Sequence, residues 1–260
     1  MGTIRYGARS PEQLRNRELE ATSTPTWCTV ITAIYETDPE LIAAVLPPPL
    51  EPTDEPLVRV TFASVDLGKG IPPFGAGTIA VAAKHEGTVG DYALLMPMTT
   101  EQAVVGGRET FGEPKKIAQI TLDREGDEVS ASFTRMGITF LEIKGKVTGD
   151  IELTPDRRRT AFYLKFLLNP DGKGFDAEPS LVYCHRDEVT RKLEGIDGKV
   201  ILRESKFDPV ADLPVRRLRS IDIAERSSEQ RGEIVSRVPG DWVMPYVHQR
   251  YDDLSVVGTE

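Results

Sequence analysis

The chain has 260 residues, with 41 acidic against 32 basic side chains, a net charge of -9 and a pI near 5.1. That balance argues against a nucleic-acid binder, which meets phosphates with a basic face, and the length suits one large domain, so residues 1–260 are expected to form a single domain. Cys28 and Cys184 are too few and too far apart for a disulfide framework or a zinc site, and no run of about twenty apolar residues could span a membrane. Met1-Gly2-Thr3-Ile4-Arg5-Tyr6 lacks an apolar signal core, so a cytoplasmic protein without a membrane partner is expected.

Helical signals are few. Ser10-Pro11-Glu12-Gln13 combines a capping serine, a first-turn proline and a glutamine three residues after the cap, which predicts a short helix. Asp38-Pro39-Glu40 repeats that logic before Leu41-Ile42-Ala43-Ala44-Val45-Leu46, and Pro47-Pro48-Pro49 stops it. Most of the remainder reads as strand: Ile117–Leu122, Val129–Arg135, Ile138–Val147, Thr160–Leu168, Lys199–Arg203 and Arg217–Ile223 are short runs rich in β-branched or alternating apolar residues. Turns such as Arg124-Glu125-Gly126-Asp127 and Asn169-Pro170-Asp171-Gly172 separate them, and Arg157-Arg158-Arg159 beside Asp156 reads as a loop. Strands in series predict a mainly β (α+β) fold, a closed barrel or a sandwich rather than a parallel α/β sheet. Gly68 to Gly77 lacks both a dinucleotide fingerprint and a phosphate-loop ending, and is expected to be a mobile loop over a barrel mouth.

The segment Gly107-Arg108-Glu109-Thr110-Phe111-Gly112-Glu113-Pro114-Lys115-Lys116 carries the chemistry. A lysine amine in water has a pKa of about 10.4, so a nucleophilic lysine needs burial or a nearby cation to shed its proton. Lowering that value to near 7 takes about 4 to 5 kcal/mol. Two ammoniums about 10 Å apart at an effective dielectric near 20 repel by only about 1.7 kcal/mol. Neighbours in an extended chain point to opposite faces, so an apolar wall around Lys115 must supply most of the shift, with Lys116 contributing less or acting through packing. Pro114 holds Glu113 extended, which puts the Glu113 and Lys115 side chains on one face. Glu113 is then a candidate proton shuttle, or a plain salt-bridge partner that would keep the proton on Lys115.

These motifs, with Gly90-Asp91-Tyr92, Glu55-Pro56-Leu57-Val58-Arg59, Tyr35-Glu36-Thr37-Asp38 and Asp212-Leu213-Pro214-Val215, resemble the acetoacetate decarboxylases in order along the chain. The resemblance implies a closed, cone-like β-barrel with a few flanking helices, a cofactor-free lyase, a small oxo-acid substrate and a homo-oligomer. It also implies the roles: Lys115 as Schiff-base nucleophile and Lys116 as the partner that tunes it, an assignment that comes from the family and not from the spacing. An ungapped alignment puts the two glutamates of decarboxylase members on Thr61 and Ala76, and their upstream arginine near Cys28. Schiff-base capacity is thus retained without the decarboxylase carboxylates. Three activities stay open: decarboxylation of acetoacetate or a related 3-oxo acid, aldol condensation and dehydration of pyruvate or another 2-oxo acid, or a binding barrel without turnover.

Two further residues are candidates for substrate binding. Arg108 could hold a carboxylate or simply pair locally, and Tyr246 could offer a hydroxyl or pack in the C-terminal segment. His85, His185 and His248 stand singly, so no metal is expected.

Overall fold

The computed structural model describes residues 4, 6–12, 26–66, 72–153 and 156–256. Pro11 and Glu12 are helical, and the rest of the helix expected there lies outside the described residues. β1 (Cys28–Glu36) leads into α1 (Pro39–Val45), which starts at its proline and ends just before the triple proline. β2 (Glu51–Pro52), β3 (Leu57–Val65), β4 (Phe74–His85) and β5 (Thr88–Met98) follow, then α2 (Glu101–Phe111) and β6 (Lys115–Ile117). The second half holds β7 (Gln119–Glu125), β8 (Glu128–Arg135), β9 (Ile138–Asp150), β10 (Arg157–Lys165), β11 (Ser180–Leu202) and β12 (Arg217–Arg237), and ends in short turns that include α3 (Gly240–Val243) and α4 (Val247–Arg250).

Among the described residues the strands form one twelve-stranded sheet. Its ring runs β10-β5-β4-β3-β1-β12-β11 and closes because β11 pairs back onto β10, Arg157 meeting Glu188 and Lys165 meeting Ser180. The fold is therefore mainly β and a closed barrel. Arg157-Arg158-Arg159, expected in a loop, opens β10. Neighbours around the ring are antiparallel except β5 and β10, which run parallel and pair only at Asp91 with Ala161 and Tyr92 with Phe162.

From the far half of β11, the strands β9, β8 and β7 continue as a wing that folds back over β3 and β4. Phe133 of the wing stacks on Phe62 of β3 with centroids 3.8 Å apart. This contact explains Gly75 and Gly77. A Cβ at Gly77 would lie 2.3 Å from the Phe133 ring, and one at Gly75 would lie 3.0 Å from Ile120. The expected mobile loop is thereby corrected: from Phe74 onward its residues are β4, with glycines that let the wing approach, while 67–71 lie outside the described residues.

Alternate side chains of a barrel strand face inward and outward. The outward set is large and apolar, with Ile31, Val58, Val60, Phe62, Ile79 and Val81 buried in a core shared with the wing, α1 and the C-terminal turns. On β3 and β4 the inward set is small or charged. Arg59 and Thr61 on β3 stand in register with Ala80 and Thr78 on β4, and Thr61 also with Thr32 on β1, which in turn faces Asp222 on β12. That this face is the interior follows from bonds that skip a strand: Arg59 reaches across β4 to Asp91 on β5, Nε to Oδ2 3.0 Å. α2 packs on the same face, its Ala103, Val104 and Phe111 against Ala80, Ala93, Met96, Tyr163, Val182 and Cys184. Gly232 of β12 leaves room for the Phe111 ring.

Candidate active site

α2 ends at Gly112, whose φ of 79° and N–H bonds to Arg108 and Gly107 carbonyls form a left-handed helix cap. The cap turns the chain through Glu113 and Pro114 into β6, which lies parallel to β5, with Lys115 in register with Met96 and Lys116 with Pro97. Met96 belongs to the interior cluster. Lys115 therefore points into the barrel with Glu113, and Lys116 points out.

Lys115 Nζ lies 2.7 Å from Glu113 Oε2, and the two side chains are 15% and 1% exposed. The approach is close, yet Oε2 has no aligned hydrogen bond. Oε1 accepts a bond of 3.2 Å from Gln230 Nε2 on β12, and Arg186 Nη2 on β11 stands 3.5 Å from it. Gly107 makes the fit possible. A Cβ there would sit 2.1 Å from Glu113 Oε2 and 2.5 Å from Lys115 Nζ.

The groups around this pair are polarised in one sense. Burial, and next Glu113, push the Tyr163 phenol well above its usual range. Burial raises the Cys184 thiol to about 11, so it stays protonated and is no nucleophile at neutral pH. For Arg186 burial opposes the charge, but the carboxylates it faces, Glu113 and Glu188, favour it, and the guanidinium stays above the ordinary arginine range. The interior thus keeps a fixed cation beside Glu113 and neutral groups around both.

Lys116 is occupied elsewhere. Its Nζ lies 3.1 Å from Asp252 Oδ1 and 3.8 Å from Asp208 Oδ1. Arg135 pairs with the same two acids, 3.0 Å from Asp208 Oδ2 and in short contact with Asp252. Burial lowers Lys116 from its usual value, and Asp208 and Asp252 oppose that shift. Two carboxylates thus neutralise its charge on the far side of β6, where it ties the C-terminal segment and the Asp208 loop to the strand.

Neither expected substrate-binding side chain faces the amine. Arg108 Nη1 donates to the carbonyls of Lys115, 3.1 Å, and Arg250, 3.0 Å, with its guanidinium 5.1 Å from the Tyr251 ring centroid. It positions the backbone of β6. Tyr246 lies by the outward-facing Tyr92, whose hydroxyl donates to Gln249 Oε1 at 2.7 Å, beside a cavity of about 20 Å³.

Thr61, Ala76 and Cys28, the positions on or near which the sequence alignment places the family's glutamates and arginine, are all on the inner face: Thr61 opposite Thr78, Ala76 opposite Ala63, and Cys28 opposite Arg226. Arg226 stands beside the position the family arginine would take, but its Nη1 donates to Thr32 and its Nη2 to Asp222. The Arg59 and Gly90-Asp91-Tyr92 motifs meet in a second interior cluster. Asp91 accepts from Arg59 and, at 2.5 Å, from Arg159, which also reaches Glu188 at 3.3 Å. Burial would raise Asp91, but the two arginines prevail and hold it below the usual carboxylate range.

Sequence reasoning missed Arg186, Gln230 and Tyr163. Their signal is a register: Arg186 faces Gln230 across β11 and β12, and Tyr163 faces Val182 across β10 and β11.

A closed, mainly β barrel is also the fold of the solved structures to which the chain is similar. The family profile described as acetoacetate decarboxylase (ADC) matches residues 10–238, and the chain belongs to that family. It is 29% identical over 188 residues to an acetoacetate decarboxylase of Burkholderia vietnamiensis, covering 70% of this chain and 74% of the relative. Acetoacetate decarboxylase from Legionella pneumophila superposes with a TM-score of 0.73 at 22% identity, over 83% of this chain and 88% of that one. The enduracididine biosynthesis enzyme MppR complexed with pyruvate superposes with a TM-score of 0.71 at 17% identity, over 83% and 92%. An acetoacetate decarboxylase-like enzyme from Sphingomonas wittichii RW1 gives 0.67 at 16% identity, over 92% and 100%.

Proposed function

We propose that the protein is a Schiff-base lyase in which Lys115 condenses with the carbonyl of a small oxo acid, acetoacetate or a related 3-oxo acid. The observation that carries this reading is the Glu113–Lys115 contact of 2.7 Å inside the barrel, with a carboxylate 1% exposed. Glu113 takes a proton from the ammonium, and the neutral amine attacks the carbonyl to give a carbinolamine. Glu113 returns the proton to the hydroxyl, which leaves as water, and the product is an iminium. The iminium then accepts the electron pair of the carbon–carbon bond as CO2 departs, leaving an enamine. The enamine carbon takes a proton relayed from water by Glu113, and hydrolysis frees the ketone. The wall of Ala80, Ala93, Met96 and Val182 keeps bulk water from the charges involved.

A second chemistry uses the same iminium: a pyruvate enamine attacks an aldehyde, and loss of water gives an unsaturated oxo acid. Thr61 and Ala76, standing where decarboxylase members resemble one another in carrying glutamates, favour it. Borohydride reduction followed by intact mass and peptide mapping tests both, with acetoacetate and pyruvate in separate reactions. An adduct on Lys115 that Lys115→Ala abolishes supports the reading, and equal labelling of both proteins refutes it. Release of CO2 and acetone from acetoacetate selects decarboxylation. Glu113→Gln is expected to slow capture by about 10²- to 10⁴-fold, the range for loss of a positioned acid–base group.

A further inference from the structure

Arg186 has no part in the steps above, yet it is the fixed cation nearest to them. Its Nη2 lies 3.5 Å from Glu113 Oε1, while Lys115 Nζ lies 2.7 Å from Oε2. One carboxylate therefore stands between two cations. The 3.5 Å contact is loose for a charged pair, and a guanidinium has five donors in a planar fork, so beyond its bonds to Tyr163 and Cys184 Arg186 keeps donors for a ligand. Its side chain is on the inner face yet 32% exposed, so it is not sealed off from solvent. The groups that face it are Glu113 from the turn before β6, Tyr163 from β10, Cys184 and Glu188 from β11, and Gln230 from β12. Glu188 is already engaged by Arg159 at 3.3 Å and Arg157 at 3.6 Å, and Tyr163, Cys184 and Gln230 are neutral.

We propose that Arg186 is the receptor for the substrate carboxylate, so that the site selects oxo acids over neutral ketones and aldehydes, and that filling it releases Glu113 to take the Lys115 proton. This rests on the Schiff-base reading. While Arg186 is empty it competes with Lys115 for the one Glu113 carboxylate, each cation standing at a different oxygen. A substrate carboxylate on the guanidinium fork cancels that pull. The proton then passes from Nζ to Oε2, leaving a neutral amine and a neutral acid, and no bond to carbon changes in the step. Capture is thus gated by the group that marks the correct substrate.

Borohydride capture with pyruvate and with methyl pyruvate, which has the same carbonyl without the charge, tests this. Wild type should reach half-maximal labelling of Lys115 at about 10- to 100-fold lower pyruvate than ester, the worth of one hydrogen-bonded charge pair. Arg186→Gln should lose that preference, the two half-maximal concentrations coming together, and Arg186→Lys should keep part of it. Equal half-maximal concentrations in wild type, or parallel loss of both probes in Arg186→Gln with an unchanged melting temperature, overturns the proposal. If Arg186→Gln fails to fold, Arg186→Lys decides by the same ratio. Lactate, a carboxylate without a carbonyl, separates this claim from the lysine chemistry. Neither probe labelling Lys115 while lactate raises the melting temperature of wild type and not of the Arg186 variants leaves Arg186 as the receptor and refutes the lysine chemistry. No labelling and no lactate shift refutes both.

Discussion

Replacing Gly107 by alanine should separate activity from stability. The new Cβ would stand 2.1 Å from Glu113 Oε2 and 2.5 Å from Lys115 Nζ, where ordinary contacts begin at 3.4 Å, so the amine must retreat by about 1 Å. A misplacement of that size costs a reacting group about 100-fold in rate. The fold is affected far less. Overpacking a buried position costs about 1 to 3 kcal/mol, while alanine in place of glycine inside a helix returns about 1 kcal/mol. All three clashing atoms, Lys115 Cδ at 2.6 Å included, belong to side chains rather than backbone, so the expected loss is at most about 2 kcal/mol, or a few degrees in melting temperature for a chain of this size. The assay is the rate of Lys115 labelling by oxo acid and borohydride beside a thermal melt. A Gly107→Ala protein that labels at the wild-type rate would refute the packing described for the site, and so would one that loses its fold outright.

Two further predictions concern the frame around the site. Asp252 would be raised by burial, but Lys116 and then Arg135 prevail and hold it below its usual range. A depressed carboxylate stabilises the fold above its unfolded value of about 3.9 and loses that effect as pH falls through the folded value. Asp252→Asn should therefore melt lower than wild type at pH 7, with the gap closing as the pH drops below about 4; a constant gap across that range would count against the pairing. Gly77→Ala drives a methyl to 2.3 Å from the Phe133 ring and should unseat the wing from β3. Overpacking of about 1 to 3 kcal/mol is expected as a drop of several degrees in melting temperature, and an unchanged melt would contradict the stack on Phe62.

How much of this the sequence discloses depends on what each strand faces. α1 is legible because its start and stop are prolines, and β7 to β9 because the wing alternates apolar and polar residues in the ordinary way. The expected strand Ile117–Leu122 is two elements, β6 and β7. The expected Arg217–Ile223 extends to Arg237, and Lys199–Arg203 covers the tail of a strand that runs from Ser180 to Leu202. These long strands hide because their inward residues include Arg186, Glu188, Asp222 and Gln230, so burial does not appear as hydrophobicity. β4 and β5 are concealed by alanines and glycines that keep the interior open. α2 is masked by Gly106-Gly107, which cost a helix about 1 kcal/mol each, and Gly107 is there for the site rather than for the helix. The common face of Glu113 and Lys115 is legible because Pro114 fixes the local chain. Arg186 lies on a strand that closes the barrel far along the chain, and no local pattern points from it to Lys115.

The ring of the barrel contains seven strands, and parity has a consequence there. Strands that alternate up and down can close a circle only if their number is even. An odd circle must have one seam where two neighbours run the same way. Here the seam is β5 against β10, stitched at two positions, and beyond it the edge of β5 from Met96 to Met98 is free for another strand. β6 fills that edge, also in parallel, and brings Lys115 with it. Parallel pairing is slightly weaker per residue and this stretch is short, so hydrogen exchange should find the wall opening first along it. An eight-stranded ring could be laced without interruption and would offer no such entry; Lys115 enters the wall where an odd count leaves it unfinished.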